Sequence, residues 1–375
     1  MSRSGAKPIF IVGPLPPPVH GASVITRAVA SLLSVAGAAT VECNISPTAR
    51  TRGWRWHLSR ARAYARTLRT LLTGPFRATV YVSLSGGNGL FYDLLVVTAA
   101  RLRANRVVLH HHSFDYIDRR RGVLALLVRI APRDQVHVVL CHDMGRKLRA
   151  LYGAELRCVR VSNLCFFPAQ ATLATPRSHL ARIGYLSNIS RAKGVDRFLD
   201  VAARFAGDDG VAFDLAGPYA NDAEREFVEE RLSRLPNVTY HGPLYGEAKE
   251  AFYRRIDAFM FPSRYSNEAE PLVVYEAMSA GLPVVVTSRG CLCEMVDADG
   301  AVLLDRDGDD IEPAVRRIAA WKQSPADYRR ASEASLRALA RFEATREKTE
   351  AALRAVFDPE LGAAPAPVQP AAQAM

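Results

Sequence analysis

The alternation of short apolar runs with longer helical or charged segments constrains the fold most strongly. In the first half these runs lie at Pro8–Val12, Thr79–Leu84, Arg106–His112 and Gln135–Cys141. A second series follows at Ile183–Leu186, Phe213–Ala216, Thr239–His241, Ala258–Phe261 and Pro283–Thr287. Strand-length apolar runs separated by helices are typical of βαβ units on a parallel sheet. The pattern therefore predicts an α/β chain of two Rossmann-like domains that face each other across a cleft.

The length of 375 residues suits two domains of ordinary size. Periodicity is interrupted between Pro168 and His179, so we place an N-terminal domain at 1–175 and a C-terminal domain at 176–342. A terminal helix is predicted over 343–357, and the Ala/Pro-rich segment 358–375 is predicted to be disordered.

Charge is distributed unevenly between the two halves. Residues 1–175 contain 24 Lys and Arg against 7 Asp and Glu, a net charge of +17, and the remainder contains 25 against 31, a net charge of −6. A basic half implies an anionic partner, such as a membrane surface, a phosphorylated acceptor or nucleic acid.

The segment Phe261–Gly281 contains two glutamates, Glu268 and Glu276, with seven residues between them. Pro271 marks the helix start, so Glu268 is predicted to follow the end of a buried strand. Open α/β sheets bind ligands at that edge. Free N–H groups near Leu272 suit phosphate, whereas a carboxylate there suits the hydroxyls of a sugar or ribose.

This glutamate spacing resembles the paired-glutamate motif of retaining GT-B glycosyltransferases, family 4 in particular. The similarity extends through Ala277–Val286, which resembles that family's helix, glycine turn and next strand. The resemblance implies that Glu268 contacts the donor sugar and that Glu276 contacts the ribose. Ala269 and Glu270 stand where the family usually has a glycine and an aromatic residue.

On the donor side, Ile183–Gly194 reads as a strand, a loop and a helix start. The resemblance assigns Lys193 to the diphosphate, while Asn188 occupies the position of the family's arginine. Arg191 lies nearby as a substitute, or else as a solvated loop charge. Gly217 follows the next strand and either lets the nucleotide approach the backbone or is a plain turn glycine.

On the acceptor side, His20 and Gly21 lie in the loop after the first strand, which the resemblance places near the reacting centre. Three successive histidines end the strand at 107–112. Because neighbouring residues of a strand point to opposite faces, His110 and His112 share a face that His111 does not. The resemblance makes His112 the active-site histidine and His110 its support.

The segment 50–77 is rich in arginine, and no acidic residue occurs between Asn44 and Tyr92. Its apolar residues recur at steps of four and three and share one helical face: Trp54, Leu58, Ala61, Ala65, Leu68 and Leu72. One interpretation is an ordinary amphipathic helix packed on the sheet. The other is a basic patch on an anionic membrane surface. Nucleic acid is not expected as a partner, because aromatic residues are not interleaved with the arginines.

The resemblance implies transfer of a sugar from a nucleotide diphosphate sugar to an acceptor hydroxyl, in polysaccharide or lipid-linked glycan assembly. No cofactor or metal is expected, since a clear Asp-x-Asp metal motif is lacking and Asp307-Gly-Asp309 lies late, in a predicted surface turn. Neither a signal peptide nor an apolar stretch of about 20 residues is visible. We therefore expect a cytoplasmic enzyme, with peripheral contact at the inner face of the cell membrane left open.

Two alternatives stay open at this stage. A related GT-B enzyme, such as a sugar-nucleotide epimerase, would use the same cleft with a different arrangement of glutamates. A non-enzymatic, basic two-lobed binding protein would not need Lys193, Glu268 and Glu276 to follow successive strand ends.

Overall fold

The computed structural model describes residues 7–17, 21–48, 53–167, 174–208 and 210–363. The chain divides into two compact units. Of the described residues, unit 1 contains those up to Phe167 and, later in the chain, residues 345–363. Unit 2 contains the residues between them.

Within its described residues, unit 1 has a parallel sheet of six strands in the order β2-β1-β3-β4-β5-β6. The strands are β1 Ile9–Gly13, β2 Thr40–Asn44, β3 Thr79–Leu84, β4 Arg106–His111, β5 Val136–Val139 and β6 Arg157–Arg160. Every residue of β1 is buried, as expected for a parallel strand covered on both faces. The strand order reverses between β1 and β3. The connection after β1 leads to β2 on one side of the sheet, and the connection after β3 leads to β4 on the other side.

In the described part of unit 1, six helices lie between its strands: α1 Gly21–Val35, α2 Trp54–Thr73, α3 Leu90–Leu102, α4 Asp115–Asp118, α5 Gly122–Ile130 and α6 His142–Tyr152. Helix α3 packs against both α2 and α5. Right-handed crossovers place these three helices on one face of the sheet and α1 on the other. The three helices α2, α3 and α5 thus form one outer layer of unit 1.

The sequence predicted the helix at α2, but the apolar stripe does not pack on the sheet. Ala63, Tyr64, Thr67 and Leu71 are the buried residues of α2, whereas Trp54 remains 73% exposed. The Tyr64 ring stacks on Tyr92 of α3 with 4.6 Å between ring centroids. Ala63 and Leu71 share this face with Tyr64 and Thr67, so α2 packs on β2 and α3 as an amphipathic helix, but the predicted apolar stripe lies outside the packed face.

Unit 2 has, within its described residues, a second parallel sheet of six strands in the order β12-β11-β10-β7-β8-β9. The strands are β7 Arg182–Leu186, β8 Ala212–Ala216, β9 Val238–Tyr240, β10 Ala258–Phe261, β11 Val284–Thr287 and β12 Ala301–Leu304. The order reverses between β7 and β10, as in the doubly wound dinucleotide-binding fold. The predicted fold class, α/β with two Rossmann-like units, is confirmed.

Helices connect these strands on both faces: α7 Val195–Arg204, α8 Asp222–Leu232, α9 Gly246–Arg255, α10 Leu272–Ser279, α11 Leu292–Met295, α12 Glu312–Gln323 and α13 Pro325–Glu343. Short 3₁₀ turns occur at Gly87–Gly89, Asn163–Phe166 and Arg191–Lys193. Helix α13 packs on α10, so the longest helix of unit 2 supports the helix that carries Glu276.

The chain returns to unit 1 with α14 Arg346–Phe357, which packs against β6 and the turn Asn163–Phe166. A further helix, α15 Pro359–Ala363, packs on α14. The predicted disorder from 358 onwards is therefore wrong for this helix, because Leu361 is buried and its carbonyl accepts a 3.0 Å hydrogen bond from Arg354 Nε. The rest of the predicted tail lies outside the described residues.

Candidate active site

The polar groups of unit 2 gather where its strand order reverses. The loop after β7 carries Lys193, and the loop after β10 carries Glu268. Strands β7 and β10 are hydrogen-bonded neighbours whose connections leave in opposite directions. Such a reversal opens a crevice at the carboxyl ends of the strands, where ligands of this fold class bind.

Lys193 and Glu268 form an ion pair across these two loops. Lys193 Nζ lies 2.6 Å from Glu268 Oε2, and Ser263 Oγ donates to the same oxygen at 3.0 Å. Glu268 is only 8% exposed, so its negative charge would be costly without these partners. Tyr265 adds its ring 4.6 Å from the Lys193 ammonium. The sequence singled out Lys193 and Glu268, and the structure brings them together.

Local backbone geometry fixes the approach of the two loops. Gly194 adopts φ +84°, a conformation that favours glycine. A Cβ atom at this position would lie only 2.2 Å from the carbonyl oxygen of Pro262. Ser190 caps the turn before it by accepting a hydrogen bond from Lys193 N. A side chain at 194 would therefore separate the lysine loop from the glutamate loop.

Glu276 lies on α10 and has two partners on α9 that the sequence did not reveal. Lys249 Nζ lies 2.7 Å from Glu276 Oε1, and Tyr253 donates its hydroxyl to Oε2 at 2.9 Å. Burial and the Glu276 carboxylate raise the pKa of Tyr253 well above its usual value, so the hydroxyl keeps its proton. No local pattern links positions 249 and 276, which meet because α9 and α10 flank β10.

The start of α10 agrees with the sequence prediction. Pro271 is the N-cap and Leu272 is the first helical residue. Ala269 and Glu270, the two residues before Pro271, are buried, and Tyr275 donates its hydroxyl to Glu270 at 2.6 Å. Glu270 stands where the resembled family usually has an aromatic residue, and its hydrogen bond to Tyr275 links the loop to helix α10.

Two of the remaining donor-side candidates have structural partners, and the third is solvent-exposed. Asn188 is exposed. Arg191 is held by Glu224, with 3.3 Å between Nε and Oε2. Gly217 adopts φ +128°, and a Cβ there would stand 1.8 Å from the carbonyl oxygen of Ser187. Packing within the protein accounts for this glycine without a nucleotide.

The acceptor-side candidates lie in unit 1. His20 lies outside the described residues. Gly21 begins α1, and a Cβ added there would meet no heavy atom within 4 Å, so its backbone is accessible.

The histidines at the end of β4 divide between two faces. His110 and His112 lie with 4.0 Å between ring centroids, and Tyr81 bonds His110 Nδ1 at 2.7 Å. His111 points the other way, where its Nε2 lies 2.9 Å from His137 Nδ1.

Burial keeps these rings neutral. It lowers the pKa of His112 and that of His137 to about 4. The pKa of His110 and that of His111 lie well below the usual value, first because of burial and then because of the neighbouring imidazoles. His112 is therefore neutral near pH 7 and can accept or donate a hydrogen bond, which suits a residue that contacts a reacting sugar.

Across the described ranges, no three His, Cys, Asp or Glu side chains are grouped so that they could hold a metal ion. Asp307 and Asp309 lie beside arginines: Asp309 Oδ1 is 2.5 Å from Arg264, and Asp307 Oδ1 is 3.3 Å from Arg289. The expectation of metal-independent chemistry stays a prediction.

Comparison with known proteins finds a family match within unit 2. Residues 176–337 match the family described as glycosyl transferases group 1. The matched region makes up most of unit 2. Glu268, Glu276 and Lys193 all lie inside it.

Two curated relatives are named as transferases. The sulfoquinovosyl transferase SQD2 of Arabidopsis thaliana is 34% identical over 122 residues, 32% of this chain and 21% of that protein. The putative colanic acid biosynthesis glycosyltransferase WcaL of Escherichia coli K12 is 25% identical over 280 residues, 68% of this chain and 64% of that protein. The matches thus span less than two thirds of either relative.

A solved structure extends the similarity to both units. HepE of Anabaena, crystallised with UDP, aligns with a TM-score of 0.65 and 16% identity over 91% of this chain and 97% of HepE. At this identity the likeness concerns the fold alone, and it confirms the predicted GT-B architecture.

Proposed function

We propose that this chain is a retaining glycosyltransferase that moves a sugar from a nucleotide diphosphate sugar to an acceptor hydroxyl. The observation that carries the proposal is the Lys193–Glu268 pair, 2.6 Å apart between loops that follow neighbouring parallel strands. A cation suited to a diphosphate and a carboxylate suited to sugar hydroxyls lie side by side at the edge where such sheets bind ligands. The group 1 match over unit 2 supports the same conclusion.

Glu268 and Glu276 differ in their hydrogen-bond partners and therefore suit different parts of the donor. Both recorded contacts of the Glu268 carboxylate use Oε2, which leaves Oε1 to accept a hydroxyl of the donor sugar. Glu276 is held through both oxygens by Lys249 and Tyr253. Each of those oxygens keeps a second lone pair, so the carboxylate can accept ribose hydroxyls from a fixed position.

Lys193 would stabilise the leaving diphosphate. Its ammonium has three N–H donors, and one is sufficient for Glu268. The others can contact phosphate oxygens, where negative charge develops as the sugar departs. The N–H groups at the start of α10, near Leu272, would add to this stabilisation. We propose that no metal ion is required, and EDTA should leave turnover unchanged.

Uridine diphosphate is the donor nucleotide that the comparisons favour, since HepE was crystallised with UDP and with UDP-glucose. We propose retention by attack from the leaving-group face, as the family resemblance implies. The anomeric configuration of the product, read by NMR, would contradict this proposal if it were inverted.

We extend the proposal to unit 1 through His112, which the resemblance assigns to the active site. A His112→Ala variant should lower kcat by about a hundredfold. The matched variant His137→Gln, which alters a buried histidine of the same cluster, should change stability and leave kcat close to that of the parent.

The acceptor is proposed to be a growing polysaccharide or a lipid-linked sugar, handled at the cytoplasmic face of the membrane. Among the described helices none is long and apolar enough to cross a bilayer. The charge of unit 1 is consistent with an anionic surface, with 27 Lys and Arg against 11 Asp and Glu.

The decisive test measures nucleotide release from a panel of UDP-, GDP- and ADP-sugars, with and without a lipid extract. We expect release with one donor, and a loss of at least about a hundredfold in Glu268→Gln. Glu230→Gln is the control, since Glu230, near the end of α8, forms an exposed pair with Arg234, which follows the helix.

Three results would contradict the proposal. Release from no donor, without any thermal shift on donor addition, would favour a binding protein. Conversion of the donor to an epimer without an acceptor would favour the epimerase. Full activity in Glu268→Gln would remove the assigned role of that residue.

A further inference from the structure

Helix α2 has three faces, and only one of them is used by the fold. The buried face consists of Ala63, Tyr64, Thr67 and Leu71. An apolar stripe faces solvent, with Trp54 73% exposed, Leu58 39% and Leu72 44%. Beside it runs an arginine stripe of helical spacing, formed by Arg55, Arg62, Arg66 and Arg69.

The packed face needs nothing from the apolar stripe. Tyr64 stacks on Tyr92 and its hydroxyl lies 3.3 Å from Asp93 Oδ1. The Arg60 guanidinium lies 5.1 Å from the Tyr92 ring centroid and 5.8 Å from that of Tyr64. Helix α2 is therefore anchored by these contacts together with the buried Ala63 and Leu71, and the apolar stripe is available to a partner.

The neighbouring helix of the same layer also presents apolar side chains. Phe91, Leu95 and Leu102 of α3 are 57%, 51% and 70% exposed, and their spacing places them on one face of the helix. Of the twelve large hydrophobic side chains exposed in the described part of the chain, eight lie between Trp54 and Leu126. Exposed apolar groups are thus concentrated on the layer formed by α2, α3 and α5.

The charge of this layer is of one sign. No acidic residue occurs from Ile45 to Phe91, and the next one, Asp93, is fully buried. Within the described residues, Arg62, Arg66 and Arg69 have no carboxylate partner. Arginines beside exposed leucines and a tryptophan would complement a partner surface that offers both anionic groups and hydrocarbon.

We propose that α2, with the exposed face of α3, docks on an anionic phospholipid bilayer. The arginines would contact lipid phosphates while Trp54, Leu58 and Leu72 enter the boundary between headgroups and acyl chains. Nucleic acid offers phosphates but no hydrocarbon for aliphatic side chains. A helix of 20 residues spans about 30 Å, enough to lie along the surface.

This docking would bring the enzyme to a lipid-linked acceptor, and in that respect it rests on the proposed function. Its test does not, because vesicle binding requires no turnover. Loss of nucleotide release with intact vesicle binding would contradict the proposed function alone. Intact release without vesicle binding would contradict the docking alone.

The experiment is flotation of the full chain with phosphatidylcholine vesicles that contain or lack phosphatidylglycerol. We expect binding that requires the anionic lipid and falls about fivefold for each arginine removed in Arg62→Gln/Arg66→Gln/Arg69→Gln. Leu58→Ser/Leu72→Ser should reduce binding roughly tenfold or more. The control removes equal charge from unit 2, with Arg234→Gln/Arg329→Gln/Arg330→Gln, and should bind as the parent does.

Tryptophan fluorescence separates insertion from attraction by charge alone. The chain has three tryptophans, of which Trp321 is fully buried in unit 2. Brominated lipid should quench the parent, and Trp54→Phe should lose that quenching while it still floats.

Binding without quenching, binding that ignores the anionic lipid, or equal loss in the control triple variant would overturn the proposal. So would an RNA competitor that binds the chain more tightly than vesicles do. Circular dichroism of each variant verifies that the helices are intact.

Discussion

Units 1 and 2 have the same scaffold and opposite electrostatics. Each contains a six-stranded parallel sheet with one reversal of strand order. Unit 1 has a net charge of +16, from 27 basic and 11 acidic residues, and unit 2 has −5, from 22 and 27. At the strand ends, unit 1 places neutral histidines, whereas unit 2 places the Lys193–Glu268 ion pair.

The difference shows that one topology can prepare two kinds of surface. In unit 2 the charges are paired among themselves, as in Lys193–Glu268 and Lys249–Glu276. Paired charges near the sheet edge can be shared with a polar ligand at little cost. In unit 1 the arginines of α2 are directed to solvent, where they can contact a partner outside the protein.

The largest effect is expected when the lysine of the unit 2 pair is removed. Lys193→Met should reduce kcat/KM by about a hundred- to a thousandfold, because the diphosphate loses a cation, and should destabilise unit 2, since Glu268 is left buried and unpaired. The double variant Lys193→Met/Glu268→Gln should regain stability without activity. Steady-state kinetics and urea denaturation measure the two effects, and Lys322→Met, which breaks an exposed pair with Asp208, is the control. A double variant no more stable than Lys193→Met would contradict the assignment.

A fall in pH should lower the folding stability of unit 1 more than that of unit 2. An unfolded histidine titrates near 6.5, whereas burial lowers the pKa of His137 and of His112 to about 4 in the folded chain. The unfolded state therefore binds more protons below about pH 6.5, and stability that is complete above this pH is lost as the pH falls towards 4, by roughly 3 kcal/mol for each such histidine. Burial raises the pKa of Asp93 to about 7, so this carboxyl favours the folded state at low pH and offsets part of the loss.

Hydrogen exchange at pH 7 and pH 5, resolved by peptide, would measure this loss in each unit. His137→Gln should flatten the pH dependence of unit 1, and His179→Gln, at an exposed position of unit 2, should not. An equal pH dependence in the two units would refute the explanation.

The two candidate glycines provide a third comparison. Gly217→Ala forces a Cβ to 1.8 Å from the Ser187 carbonyl oxygen at φ +128°, and should destabilise unit 2 by about 2 kcal/mol or more. Gly21→Ala meets no atom and should change stability by less than about 0.5 kcal/mol. Urea midpoints compare the two, and similar values would show that unit 2 relaxes around position 217.

The smallest effect concerns the partner of the ribose glutamate. Lys249→Met leaves Glu276 bonded to Tyr253 at 2.9 Å, so the carboxylate keeps one anchor. We expect the donor KM to rise by about tenfold while kcat changes little, because the contact positions a group that binds substrate and transition state alike. A fall in kcat at constant KM would mean that Lys249 acts on the reaction itself.

The sequence alone was sufficient for most strands and for the residues of the unit 2 loops. Strands β3 and β10 begin and end where their apolar runs do, because buried parallel strands are apolar throughout. The loops that carry Lys193 and Glu268 were predicted because a loop that ends a strand in an α/β sheet is placed by topology. These features are local, or follow from the order of the elements.

Only the tertiary structure decided which groups meet and which face of a helix is buried. Lys249 reaches Glu276 across 27 positions of sequence, a pairing set by the packing of α9 and α10. The apolar stripe of α2 predicted a buried face, yet Ala63, Tyr64, Thr67 and Leu71 occupy it. Tyr64 stacks on Tyr92 and bonds to Asp93, and the Thr67 hydroxyl donates to the Ala63 carbonyl. Periodicity reports that a stripe is apolar, and the neighbours in space determine whether that stripe packs inside the protein or is left for a partner.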